Sequence, residues 1–233
     1  MLTTDGIHSY YGQAHILADV ALEANAGEIV VLLGRNGAGK TTTLKCIMGL
    51  VKPAKGTVRF QDVDITGAPP YSIARAGLAY VPEDRRIFTE LTVLENLEVG
   101  RQPARNDAPV WTPERLFSLF PNLAEMRNRP GGQMSGGEQQ MLTIARSLMG
   151  NPSAILLDEP SEGLAPVIIE QMATTIRELK ADGLTVLLSE QNLHFASLVS
   201  DRAYIIEKGR IRYSGTMAQL SADADVRQAY LTV

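Results

Sequence analysis

IVVLLGRNGAGKT, residues 29–41, decides the fold. Its first five residues, Ile29–Leu33, are apolar on both faces, the pattern of a central strand covered on both sides. The next eight, Gly34-Arg35-Asn36-Gly37-Ala38-Gly39-Lys40-Thr41, match G-x-x-x-x-G-K-[ST]. A helical segment follows from about Gly39 to Met48, with Gly49 and Pro53 to end it. Strand, glycine loop and helix in this order let backbone N–H groups converge on phosphate oxygens, and the helix N-terminus adds partial positive charge. Gly34, Arg35, Asn36, Gly37, Ala38, Gly39, Lys40, Thr41 and Thr42 are therefore the expected nucleotide-binding set. Lys40 is placed to reach the β- and γ-phosphates, and the Thr41 hydroxyl to bind Mg²⁺.

Outward from this stretch, further buried-strand runs recur at Leu78–Val81, Ala154–Leu157, Thr185–Leu188 and Ala203–Ile206. Met141, Ile144, Ala145, Leu148 and Met149 share one helical face, and Ile168, Met172, Ile176 and Leu179 share another after Pro166. Strands alternating with helices predict an α/β fold with a mostly parallel sheet. The first 30 residues read as β, with Ile16, Ala18, Val20 and Leu22 on one face of a half-buried strand. From Glu83 to Gly150 no buried-strand run occurs, and Gln102–Pro113 is a polar, Pro-rich connection. One domain is therefore expected, with a core of 1–82 and 151–215, a helical insert of 83–150 and a short, partly helical tail of 216–233.

The strand at Ala154 ends in two adjacent carboxylates, Asp158 and Glu159. Beside a phosphate loop, the first suits Mg²⁺ and the second suits orienting and activating the attacking water. Together the two motifs indicate a Mg²⁺-dependent nucleoside triphosphatase. Ser135-Gly136-Gly137-Glu138 opens the striped helix at Met141, with Ser135 as a good cap and two glycines that leave N–H groups free for a second anion. Ser135 follows Lys40 by 95 residues and precedes Asp158 by 23.

Composition bounds the rest. The 233 residues are 45% hydrophobic and 21% charged, which suits a globular domain with a full core. With 22 basic and 26 acidic residues the net charge is -4, against nucleic acid as a partner. No apolar run approaches the ~18–20 residues of a membrane span, and MLTTDGIHSYYG has neither the basic start nor the apolar stretch of an export leader. The single cysteine, Cys46, excludes an internal disulfide framework.

The two phosphate-binding helix ends and their spacing resemble the ATP-binding subunits of ABC transporters, whose signature is L-S-G-G-Q. The resemblance runs from Tyr11 to the tail and implies that family's fold: a phosphate-loop core, an N-terminal antiparallel β subdomain and an inserted helical subdomain. It implies that Tyr11 stacks on adenine, and that two subunits close head to tail, Ser135, Gly136, Gly137 and Glu138 of each meeting the nucleotide held by the other. Glu83 occupies the position of a usual Gln that reaches Mg²⁺ and water, so Thr41, Asp158 and Glu83 form the implied metal set. Gln191 occupies the position of a usual His at the γ-phosphate, with His194 as the alternative. Glu159, Gln191 and Glu83 are then the implied catalytic groups. The loop after Glu159 ends in Ala165-Pro166 rather than the usual Leu-Asp.

VPE followed by an Arg pair, SGGEQQ, GLAP and EQN resemble the second ATPase of branched-chain amino-acid importers and their urea- and amide-importing relatives. That resemblance implies a second ATPase subunit (the same chain or a different one), transmembrane permease subunits, and indirectly a solute-binding protein. It also implies a place on the cytoplasmic face of the cell membrane. A soluble ABC-type switch acting on DNA or the ribosome is the alternative from another class; such proteins carry coiled-coil insertions or fused units that this chain lacks.

Overall fold

The computed structural model describes residues 1–106 and 108–231. The chain opens with a long antiparallel pair, β1 (Leu2–Tyr11) and β2 (Ala14–Ala24), then enters β3 (Ile29–Leu33), the phosphate loop and α1 (Lys40–Ile47). A second hairpin, β4 (Lys55–Phe60) and β5 (Val63–Asp64), is followed by α2 (Pro70–Arg75) and β6 (Leu78–Val81). Four helices come next: α3 (Val93–Gly100), α4 (Pro113–Leu119), α5 (Pro121–Glu125) and α6 (Gly136–Leu148). Then β7 (Ala154–Asp158), α7 (Pro166–Ala181), β8 (Thr185–Glu190), α8 (Leu193–Val199) and β9 (Arg202–Glu207) complete the α/β alternation. The chain closes with β10 (Arg210–Thr216), α9 (Met217–Ala222) and α10 (Ala224–Tyr230). The last two residues of the expected tail and residue 107 of the Pro-rich connection lie outside the described residues.

Two sheets form. One is antiparallel in the order β2-β1-β4-β5; the other runs β10-β9-β3-β8-β7-β6 and is parallel except for the β9–β10 pair. The central strand explains why residues 29–33 are continuously apolar. Ile29, Val31 and Leu33 face a core shared with α3, α6, α7 and α8, while Val30 and Leu32 face a second core shared with α1 and the antiparallel sheet. Alternation persists, but both faces are dry. β7 divides in the same way, Ile155 and Leu157 on one side and Ala154 and Leu156 on the other. The strand that carries the loop therefore cannot slip by one residue without exchanging two cores.

α6 starts where Ser135 predicts. Its hydroxyl accepts from the Glu138 N–H and the Glu138 carboxylate accepts from the Ser135 N–H, a capping box. Met141, Ile144, Ala145 and Leu148 are all buried.

One reading changes and one hairpin is added. In β2 the alternation breaks at its start: Leu17 is fully buried and Ile16 only partly so. Register shifts interrupt the β1–β2 pairing, and Asp19 takes a left-handed φ of 63°, so a strict two-residue period fails there. The β4–β5 hairpin has no apolar run to announce it. Its two-residue turn is Gln61-Asp62, both left-handed, a geometry usually signalled by Asn-Gly.

Candidate active site

β3 delivers the glycine loop to the C-terminal end of the parallel strands, and two of its glycines are forced. A Cβ on Gly34 would lie 2.5 Å from the Ile206 carbonyl oxygen, and Gly39 sits at φ 113° as the residue before α1. No side chain caps α1, so its first-turn N–H groups stay free for an external acceptor. Arg35, Asn36 and Gly37 are exposed on the outer loop, whereas Ala38, Gly39 and Lys40 are buried.

The Lys40 ammonium folds back. It donates to the carbonyls of Gly34 (2.8 Å) and Arg35 (3.1 Å) and pairs with the Glu159 carboxylate at 3.0 Å. Both side chains are nearly dry, 3% and 6% exposed, so neither charge is left unpaired in a low dielectric. The other oxygen of Glu159 is buried with no hydrogen-bond partner, and its backbone holds a left-handed φ of 47°. Its N–H is fixed on Ser189, 3.1 Å from the carbonyl and 3.2 Å from the hydroxyl. A left-handed backbone and an orphaned buried oxygen thus coincide at one residue beside the phosphate loop.

Asp158 is the best-supported carboxylate. Three hydroxyls donate to it: Thr41 (3.0 Å) and Ser189 (2.6 Å) to one oxygen, Tyr80 (2.9 Å) to the other. Burial, and then the Asp158 charge, push the Tyr80 phenol well above its ordinary range, so it stays a donor. The Thr41 hydroxyl and the Asp158 carboxylate are adjacent hard oxygens, the donor chemistry that Mg²⁺ prefers when phosphates supply further ligands. Among the described residues no cluster of three or more His, Cys, Asp or Glu side chains forms a metal cage of its own.

Tyr11, Gly37, Gly39, Lys40, Thr41, Thr42 and Glu159 line one cavity of 260 Å³. Tyr11 stands at its edge, half exposed at the end of β1. Glu83 is not in that lining; it borders a neighbouring hollow with Arg85, Arg86 and Gln139. Glu162 connects the two places. Burial, and then the carboxylates of Glu159 and Glu83, raise its carboxyl above the ordinary range. The start of α6 lies apart from this cavity, Gly136 against the Arg85 guanidinium and Gly137 against Ile168. Arg85 and Arg86 both hold left-handed φ values, 61° and 51°.

Gln191 is exposed between the end of β8 and α8. His194 belongs to the first turn of α8, where its Nε2 lies 3.3 Å from Glu170 on α7. Sequence reasoning missed Tyr80 and Ser189 as site residues. Their signal was a hydroxyl inside, or at the end of, an otherwise apolar strand, which composition alone does not separate from a packed polar residue.

A parallel sheet with a glycine loop between strand and helix, a buried lysine and a carboxylate pair at the end of β7, one strand removed from β3, define a phosphate-loop nucleoside triphosphatase. Residues 17–162, more than half the chain, match the ABC transporter family model, and the chain belongs to that family. It is 46% identical over 231 residues to the high-affinity branched-chain amino acid transport ATP-binding protein BraG of Pseudomonas aeruginosa, covering 99% of each chain. It is 36% identical over 233 residues to the lipopolysaccharide export system ATP-binding protein LptB of Haemophilus influenzae, covering 99% and 97%. Among solved structures, a nucleotide-free ATP-binding cassette from an ABC transporter superposes with a TM-score of 0.84 at 28% identity, covering 100% of this chain and 99% of that one. A bacterial ABC transporter cassette in dimeric form superposes at 0.80 with 25% identity, covering 93% and 99%. The chain is thus an ATP-binding subunit that hydrolyses ATP for a transporter. Among the described residues no helix is long and apolar enough to cross a membrane.

Proposed function

We propose that this chain is the motor of an importer for branched-chain amino acids, working as one of two ATPase subunits beneath transmembrane permease subunits. The observation that carries the solute class is the identity to BraG, 46% against 36% for the lipopolysaccharide exporter, each over almost the whole chain. A urea or amide importer is the second reading, favoured by the same VPE, GLAP and EQN stretches.

In this reading the γ-phosphate takes over the Lys40 ammonium, which leaves the Gly34 and Arg35 carbonyls and releases Glu159. The freed carboxylate accepts a proton from the attacking water, a role worth roughly 10²–10⁴ in rate. Thr41 and Asp158 would hold Mg²⁺, with Glu83 as the further candidate from the neighbouring hollow, and the ion would supply charge neutralisation for the phosphates. Tyr11 stacks on the base, and Gln191 donates to the γ-phosphate without the charge a histidine brings. Ser135, Gly136, Gly137 and Glu138 are absent from the lining of their own chain's cavity, which supports their meeting the nucleotide of a second subunit. Helices α3–α6, drawn from 83–150, act as one arm that carries this signature, beside the 1–82 and 151–215 core and the 216–233 tail. With permease subunits the chain sits peripherally on the inner membrane face, and no nucleic acid takes part.

The test is reconstitution with candidate permease subunits in vesicles, reading phosphate release as solute-loaded binding protein is added. Stimulation by leucine, isoleucine or valine is expected. Stimulation by urea alone, or by no solute, would refute the solute class.

A further inference from the structure

Glu190, the last residue of β8, is a buried carboxylate that no step above uses. It is 1% exposed, and burial raises its carboxyl above the ordinary range. None of its hydrogen-bond partners is a cation. One carboxylate oxygen accepts from the Ser161 N–H at 3.0 Å; the other accepts from the N–H groups of Gln191 and Asn192, both at 3.1 Å. The Glu190 carbonyl accepts from the Gly34 N–H at 3.2 Å.

These contacts join three segments of the site. Gly34 opens the phosphate loop, Ser161 follows Glu159 by two residues, and Gln191 stands at the proposed γ-phosphate position. Only a carboxylate does this. An amide of the same shape accepts on one oxygen and turns a donor toward the opposing N–H, whereas a carboxylate accepts on both sides. Holding an anion in a dry place without a counter-charge is costly, and the Ser161 side chain together with three backbone N–H groups offsets part of that cost. Asn192 then caps α8, its side chain accepting from the Phe195 N–H at 3.1 Å. Gln191 is therefore a single residue held between two fixed points, with its side chain exposed.

We propose that Glu190 is the positioning residue of the ATPase site: it ties the loop carrying Glu159 to the backbone of Gln191, so that the water-activating carboxylate and the γ-phosphate contact keep one geometry. The proposal rests on Gln191 acting at the γ-phosphate.

The test is a double-mutant cycle on the full chain, measuring kcat and KM for Mg·ATP by phosphate release. Glu190→Gln is expected to lower kcat about tenfold with KM within about twofold, since substrate contacts are untouched. Combined with Gln191→Ala, it should cost less than about a further twofold, because the two residues act as one unit. Glu190→Asp keeps the charge but is a methylene too short to span both loops, and it carries the same expectation should the Gln variant fold poorly. A kcat near wild type in both Glu190 variants would overturn the proposal. So would losses that simply multiply in the double variant, or a loss at Glu190 with none in Gln191→Ala. Absence of hydrolysis by the wild-type chain would instead sink the proposed function, and shows before any variant is made.

Discussion

Replacing Tyr80 by Phe removes one oxygen and leaves the ring in its place on β6. The lost hydroxyl donates to Asp158 at 2.9 Å, and Thr41 and Ser189 still hold the other carboxylate oxygen, so the carboxylate keeps its position and loses its restraint on one side. A hydrogen bond to a charged group contributes about 1.5–3 kcal/mol, and supporting partners of metal ligands are worth about 10–100-fold in metal affinity. The expected effect is the lower end, about tenfold or ~1.4 kcal/mol, because two of the three donors remain. It should appear only where the metal is involved. ATP affinity, followed with a fluorescent analogue, should match wild type in EDTA and fall about tenfold behind it in Mg²⁺. An equal Mg²⁺-dependent gain in both proteins would refute the reasoning, because Tyr80 would then be packing alone. An equal loss in EDTA would refute it too, by showing that the phosphate loop itself had moved.

Three further outcomes follow from the geometry. Gln191→Ala should slow phosphate release more than His194→Ala, since His194 is turned to Glu170 on α7; the reverse order would overturn the register of the loop after β8. Gly34→Ala places a methyl 2.5 Å from the Ile206 carbonyl, a backbone atom that cannot swing aside, and should lower both the melting temperature and ATP affinity; a variant that binds ATP like wild type would show that the loop is not held as described. The raised Glu190 carboxyl makes its ionised form a cost to folding. That cost is absent below the ordinary carboxylate value of about 4.3 and complete above the higher folded value. Wild type should therefore lose stability relative to Glu190→Gln as pH rises through that interval, seen as diverging melting temperatures; a pH-independent difference would contradict the burial argument.

Much of this arrangement was legible in residues 29–41. An apolar run flanked by the glycine loop specified a central strand, and the split of its side chains between two cores is the physical form of that run. Asp158 and Glu159 were legible because two carboxylates at the end of a buried strand have few other uses. Support for them was not. Tyr80 and Ser189 meet Asp158 only because β6, β7 and β8 pair in parallel, a relation of 78 and 31 residues in sequence. The Gln61-Asp62 turn and the bulged start of β2 escaped for another reason. Both depend on left-handed φ values at Asp19, Gln61 and Asp62, where no glycine announces them. The pairing of Lys40 with Glu159 likewise joins two motifs that sequence reading treats separately.

Glu159 is the residue proposed above to activate the water, in a site completed by a second subunit. The most direct test is phosphate release and light scattering on Glu159→Gln with Mg·ATP. The amide keeps an oxygen for Lys40 but accepts no proton, so turnover should fall by about 100-fold or more. ATP binding should persist, and an ATP-dependent dimer should accumulate. Turnover near wild type, or a chain that stays monomeric with ATP bound, would contradict it.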